Sequence, residues 1–377
     1  MKRRDFLKTA AITAATLATP AIVSQAHATQ PSGKGAAGER PSRNNMVIDF
    51  ESHYIDAQLL EKMKKRSTSP FYNQTTGEVG GYGDAPDIVM VNDLTNLLDV
   101  GAGRISHMDN AGIDIMCIST TVPLEVFSSE KEAVAFMPGM NDRLAETVAK
   151  HPTRLKAMAA IAPFEPQKAA AELKRCFVDL KMAGWHLHSH FLGDRYPDHE
   201  LYDPIWKTVA DLGIPVYLHP TIPVFESLRG LGYPVVGSPF GFAVDATIAL
   251  VRLINSGLFE KYPGIKLVTG HMGEAMPFLV QRMDHQIQTK AKSIWHLPKL
   301  PGDYLRSNVL YSTSGCFSKE VFECLRAVMG IDRIVFASDW AYEDLPSCTD
   351  FVDSLNLSAE EFTKLYSGNA KRELGIM

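Results

Sequence analysis

The sequence predicts a (β/α)8 barrel with an insertion after its first strand. Two observations lead there. Eight short apolar or β-branched runs recur along the chain, at 47–50, 113–119, 155–162, 185–189, 215–218, 265–269, 309–312 and 333–338. Amphipathic helical patterns separate most of them, and strand alternating with helix implies a parallel sheet. A third observation is negative: no Gly-x-Gly-x-x-Gly follows any of the runs, which argues against an open dinucleotide-binding sheet. With 377 residues, 45% of them apolar, the chain can fill a barrel of this size.

Each element has a local signal. The helical pattern at 204–212 places Ile205, Val209 and Leu212 on one face, and further patterns cover 241–256, 277–288 and 319–329. A last helix over 359–366 starts behind the N-cap Ser358. The segment 64–104 is too long, and too rich in Gly, Pro and Asn, for an ordinary connection; it is expected to be an inserted lid or binding loop over the barrel mouth.

Ahead of the barrel, residues 1–28 carry Arg3-Arg4, Phe6-Leu7, an apolar stretch from Ala10 to Val23, and the small-x-small site Ala26-His-Ala28. These are the parts of a twin-arginine export signal, and the mature protein is expected to be periplasmic or secreted. About fourteen Ala/Thr-rich residues cannot cross roughly 30 Å of hydrocarbon, so no stable membrane insertion is expected. Residues 29–45, rich in Gly, Ser and Pro, are expected to form a flexible leader, with the barrel occupying 46–377.

The formal net charge of −5, with no long basic run, leaves no footprint for a phosphate backbone, so nucleic acid is not an expected partner. Five cysteines without C-x-x-C spacing point neither to a disulfide framework nor to a thiolate zinc site.

Barrel enzymes place their chemistry where strands end at the carboxyl face. Here the first strand runs into Glu51-Ser52-His53, whose alternation puts Glu51 and His53 on one face. The fifth ends in His219, the sixth in Gly270-His271-Met-Gly-Glu274, and the eighth in Ser338-Asp339. Each such residue alone has an ordinary structural role as a cap or hydrogen-bonded core group. Together, at one mouth, they supply a mixed nitrogen and oxygen set for one divalent ion.

The ordered motifs resemble the amidohydrolase superfamily, and within it the decarboxylase-like branch called amidohydrolase family two. They are the run from Leu97 through Arg104 to Asp114, Ser189-His190 with Gly193, Tyr202-Asp-Pro-Ile-Trp206, Ile214-Pro-Val-Tyr-Leu-His219-Pro, Ser256-Gly-Leu-Phe-Glu-Lys-Tyr-Pro263, Gly270-His-Met-Gly-Glu274 with Arg282 downstream, and Phe336-Ala-Ser-Asp339. The resemblance spans nearly all of 46–377 and is nearest to enzymes that remove a carboxylate from phenolic acids, such as γ-resorcylate and 5-carboxyvanillate decarboxylases. It implies Glu51, His53, His219 and Asp339 as metal ligands, His271 supported by Glu274 beside the substrate, and His190 and Arg282 as substrate contacts. Two-metal hydrolases of the superfamily bridge their ions with a carboxylated lysine on the fourth strand, and Gly184-Trp-His-Leu-His-Ser-His190 contains none. One ion is therefore expected. The Glu at the first ligand position favours Mn²⁺ over Zn²⁺.

The implied activity is metal-dependent non-oxidative decarboxylation of an aromatic acid, with Asp339 or His271 delivering a proton to the ring carbon. The same ligands would serve the alternative, metal-dependent hydrolysis of a lactone or another C–O or C–N bond. The partner is a small molecule. Related barrels pair, so a homodimer or homotetramer is expected.

Overall fold

The computed structural model describes residues 45–377 apart from 76, 83–84, 92–93, 194 and 229, and all described residues belong to one compact unit. The expected export signal, and the leader up to residue 44, lie outside the described residues.

Eight parallel strands pair in chain order: β1 (Ile48–Tyr54), β5 (Ile115–Thr120), β6 (Leu155–Ala159), β7 (Gly184–His188), β8 (Val216–His219), β9 (Leu267–Thr269), β10 (Val309–Ser312) and β11 (Ile334–Val335). The last strand is short as a ladder, but its chain runs on to close the barrel against β1. Phe50 N donates to Phe336 O at 3.1 Å, and Asp339 N donates to Glu51 O at 3.0 Å. The eight strands fall on the runs expected from sequence.

The insertion after β1 is present at 64–104 and carries structure of its own. It contains β2 (Phe71–Asn73), β3 (Glu78–Tyr82) and β4 (Ala85–Val91), a three-stranded antiparallel sheet. Its glycines and prolines mark strand ends and the register shifts between β3 and β4, and mask the period-two pattern a strand otherwise shows.

Two apolar layers follow from strand alternation. Ile48, Phe50, Ile115, Cys117, Met158, Tyr217, Val268, Leu310 and Val335 fill the barrel interior, and Ala370, Leu374 and Ile376 plug its amino end. The outward side chains, among them Leu155, Trp185, Val216, Leu267 and Val309, pack against the helix ring. Trp185 meets Trp206 of the helix Asp203–Leu212 with ring centroids 5.4 Å apart. The stretch Tyr233–Asn255 is long and apolar enough by composition for a membrane span, with a mean hydropathy of 1.5. Its helix Gly241–Asn255 turns Ala246, Ala249, Leu250, Leu253 and Ile254 inward.

One irregularity positions the chemistry. Ile48 and Phe50 point into the interior, and strict alternation from them would send Glu51 and His53 together to the outer face. A register shift between Asp49 and Ser52 resets the alternation, so Glu51 and His53 both face inward above Phe50. Asp49 stays on the outer face, where its carboxylate accepts Ser338 N at 2.9 Å and Ser338 Oγ at 2.6 Å. Burial comes first among the influences on that carboxyl and raises it to about 7. It staples the first strand to the last beside Glu51 and Asp339. All five cysteines are free, and Cys117, Cys176 and Cys348 are buried.

Candidate metal centre and active site

Glu51, His53, His219 and Asp339 each offer one ligand atom, and these atoms lie within 4.8 Å of one another at the carboxyl face. His53 Nε2 lies 2.8 Å from Asp339 Oδ1 and 3.6 Å from Glu51 Oε1, and His219 Nε2 lies 3.7 Å from Glu51 Oε1. Glu51 Oε1, His53 Nε2 and Asp339 Oδ1 are buried and lack aligned hydrogen-bond partners. Buried orphan acceptors aimed at one point cost several kcal/mol unless a cation meets them. Two carboxylates and two imidazoles suit a borderline or hard divalent ion.

The outer neighbours fix how these ligands present themselves. Pro220 O, 2.6 Å from His219 Nδ1, can only accept, so Nδ1 carries the proton and Nε2 is left with its lone pair. Ser119 Oγ lies 3.2 Å from His53 Nδ1. Glu51 Oε2 accepts Ser312 Oγ at 3.3 Å, and Ser312 pairs with Ser314 at 2.7 Å. Ser314 Oγ in turn accepts the backbone N–H of His271 at 3.3 Å. A chain of hydroxyls thus joins the Glu51 carboxylate to the turn that carries His271.

That turn is strained. His271, Met272 and Glu274 have φ of 51°, 57° and 56°, and Asp339 has 63°. These are four of the six positive-φ non-glycine residues among those described, so the strain is concentrated at the site. It brings His271 Nδ1 to 2.6 Å from Glu274 Oε1 and turns Nε2 towards Asp339 Oδ2, 3.7 Å away. Gly315 leaves the room this requires, since a Cβ there would stand 2.8 Å from His271 Cδ2.

The electrostatics balance within the cluster. Burial works against the charged form of His53, yet Asp339 and Glu51 outweigh it and lift the imidazole to about 9. Burial likewise opposes charge on His271, and the Glu274 carboxylate leads the groups that raise it well above its ordinary value. Although burial alone would push Asp339 up, the neighbouring His271 and His53 imidazoles hold it well below the usual carboxylate range. To hold an ion through Nε2, His53 must be neutral there.

A cavity of about 350 Å³ opens onto His219, His271, Glu274 and Asp339. Its walls include Pro123, Ile222, Tyr233, Phe242 and Tyr342, apolar surface suited to a flat ring. Among the described residues lining it there is no Lys or Arg. Tyr342 OH is 2.7 Å from Thr121 Oγ1, which fixes the ring beside Asp339. Pro70, at the start of the insertion, also lines the cavity.

Two expected substrate contacts sit elsewhere within the chain. His190 is buried, with Nε2 2.8 Å from Ile222 O, and it supports the loop after His219 rather than facing the cavity. Ser189, bonded to Asp245, accepts Thr221 N at 3.0 Å and braces the same loop. Arg282 stands on the exposed side of the helix Met276–Gln286 and does not line the cavity. Of the fourth-strand histidines, His186 and His188 point into the interior beside His53 and His219, and the ring centroids of His186 and His219 are 4.9 Å apart. They do not join a second group of metal-ligand type among the described residues. Burial pushes His188 down to about 3, so it is a neutral core residue.

Residues 101–376 match the amidohydrolase family. The chain belongs to that family. It is 33% identical over 305 residues to the γ-resorcylate decarboxylase of Polaromonas sp. (strain JS666 / ATCC BAA-500), which covers 77% of this chain and 91% of that one. This amidohydrolase also superimposes on the 5-carboxyvanillate decarboxylase of Sphingomonas paucimobilis with a TM-score of 0.77 at 26% identity, over 88% and 99% of the two chains. The dihydroxybenzoic acid decarboxylase from Polaromonas sp. JS666, solved with manganese and 2-nitroresorcinol, matches with a TM-score of 0.75 at 29% identity, over 88% and 97%.

Proposed function

We propose that this amidohydrolase is a metal-dependent, non-oxidative decarboxylase of an aromatic carboxylic acid, using Mn²⁺. The observation that carries this reading is the combination of four convergent ligands with a ring-sized cavity whose described lining holds no Lys or Arg. In such a cavity a substrate carboxylate finds its positive counterpart only at the metal centre and at His271. The relatives support the carboxy-lyase over the hydrolase, since those named above are decarboxylases.

Glu51, His53, His219 and Asp339 would hold the ion, which when bound supplies Lewis acidity towards the carboxylate and a neighbouring hydroxyl oxygen. His271, kept protonated by Glu274, would orient the carboxylate from the open side. His271 would supply the proton that reaches the ring carbon, directly or relayed by Asp339, as the bond to the carboxylate breaks, so that the acid leaves as an arene and CO₂. Tyr342 and Phe242 would hold the ring between them, and the apolar walls would exclude water. Incubating Mn²⁺-loaded protein with a panel of ortho-hydroxybenzoic acids and measuring CO₂ and phenol in equal amounts tests this. Hydrolysis of lactones with no CO₂ from any acid would contradict it.

Arg3-Arg4 and the Ala26-His-Ala28 site support a further part of the proposal, export of the folded protein to the periplasm.

A further inference from the structure

Among the described residues Arg104 is the one Lys or Arg that is buried, with no exposed surface. It sits outside the barrel wall, in the helix Ala102–Ala111. Its donors go mainly to carbonyl oxygens. Nε donates to Asp99 O at 2.9 Å, Nη2 to His53 O at 2.7 Å and Asn96 O at 3.3 Å, and Nη1 to Ser52 Oγ at 3.2 Å. The guanidinium carbon also lies 4.4 Å from the centre of the Trp340 ring, a cation–π distance.

A charge buried against carbonyls is expensive, and an apolar side chain would fill the same space at lower cost. What an apolar group cannot do is grip three chain segments in a fixed fork. The segments are the end of the insertion at 96–99, the end of β1 at 52–53, and Trp340. Two of them carry the metal centre: His53 is a ligand and Trp340 follows Asp339. His53 N also donates to Trp340 O at 2.5 Å, so the two strand ends are already joined where Arg104 clasps them from behind.

We infer that Arg104 is a positioning residue for the metal centre, holding the His53 carbonyl and the Trp340 ring, and with them the two strand ends, at the separation that lets His53 and Asp339 share one ion. The inference rests on the metal-centre reading above. Ligand distances in such sites tolerate only about 0.2 Å, so a small relaxation of either strand end is felt in metal affinity.

The test is the Mn²⁺ dissociation constant of the full-length protein, measured by chelator competition alongside the melting temperature of the metal-free form. Arg104→Met and Arg104→Lys should each fold and bind Mn²⁺ about 10- to 100-fold more weakly, the range for outer partners of metal ligands. Lys, which keeps the charge and one donor, should lose less. The control is Asn369→Ala. Asn369 is equally buried and clasps Ile331 O and Ile334 O, both at 2.7 Å, at the opposite end of the barrel. It should lower the melting temperature with Mn²⁺ affinity unchanged. Wild-type affinity in folded Arg104 variants, an equal affinity loss in Asn369→Ala, or failure of both Arg104 variants to fold would each overturn the inference. A wild-type protein that binds no Mn²⁺ would instead sink the metal-centre reading itself.

Discussion

Nδ1 of His271 lies 2.6 Å from Oε1 of Glu274, across a turn in which both residues hold left-handed backbone angles. The carboxylate fixes which ring nitrogen carries the proton and raises the basicity of the other. Nε2 faces the cavity beside Asp339 and outside the four-residue cluster, where the proposed reaction needs a proton donor. His271→Asn should lower turnover by about 10² to 10⁴, the range for loss of a general acid or base, with metal content near wild type. Glu274→Gln should show a smaller loss in the same direction. Parallel loss of metal and activity in His271→Asn would make His271 a ligand.

Burial sets a pH dependence of stability at His188. Its folded value, about 3, lies below the ordinary imidazole value of 6.5, so the unfolded chain binds the proton first. The stability it contributes is present above pH 6.5 and is lost as pH falls towards 3, by about 1.4 kcal/mol per pH unit. His188→Gln should flatten the fall in melting temperature between pH 7 and pH 5. An unchanged slope would mean that His188 titrates normally in the fold.

Export can be tested apart from catalysis. Replacing Arg3 and Arg4 by Lys should retain the precursor in the cytoplasm, and the wild-type mature chain should begin at Thr29. Immunoblots of cell fractions and amino-terminal sequencing check both. Unchanged export of the variant would exclude the twin-arginine route.

Much of this was legible because barrel chemistry is written at strand ends. Glu51, His53, His219 and Asp339 each close an apolar run, and the structure brings all four together. The pairing of His271 with Glu274 was legible from their spacing, though its left-handed turn was not, since Met272 and Glu274 carry no glycine-like signal. The bulge after Asp49 was also hidden: alternation from Glu51 forward gives the right face, and alternation from Ile48 gives the wrong one. Contacts between distant segments escaped as well. Nothing local in Gly103-Arg104-Ile105 tells that the guanidinium clasps His53 and Trp340, and nothing near Arg282 tells that its side chain leaves the cavity.

The most direct measurement is CO₂ release, from the ortho-hydroxybenzoic acid of the panel that turns over fastest, as a function of bound metal, with Asp339→Asn and His219→Ala alongside. Wild-type protein should hold close to one equivalent of divalent ion, lose activity in proportion to metal removed by a chelator, and recover it with Mn²⁺. Both variants should lose most of their metal and their CO₂ release. Two equivalents per chain, or CO₂ release that survives complete metal removal, would contradict the account of a single-ion decarboxylase.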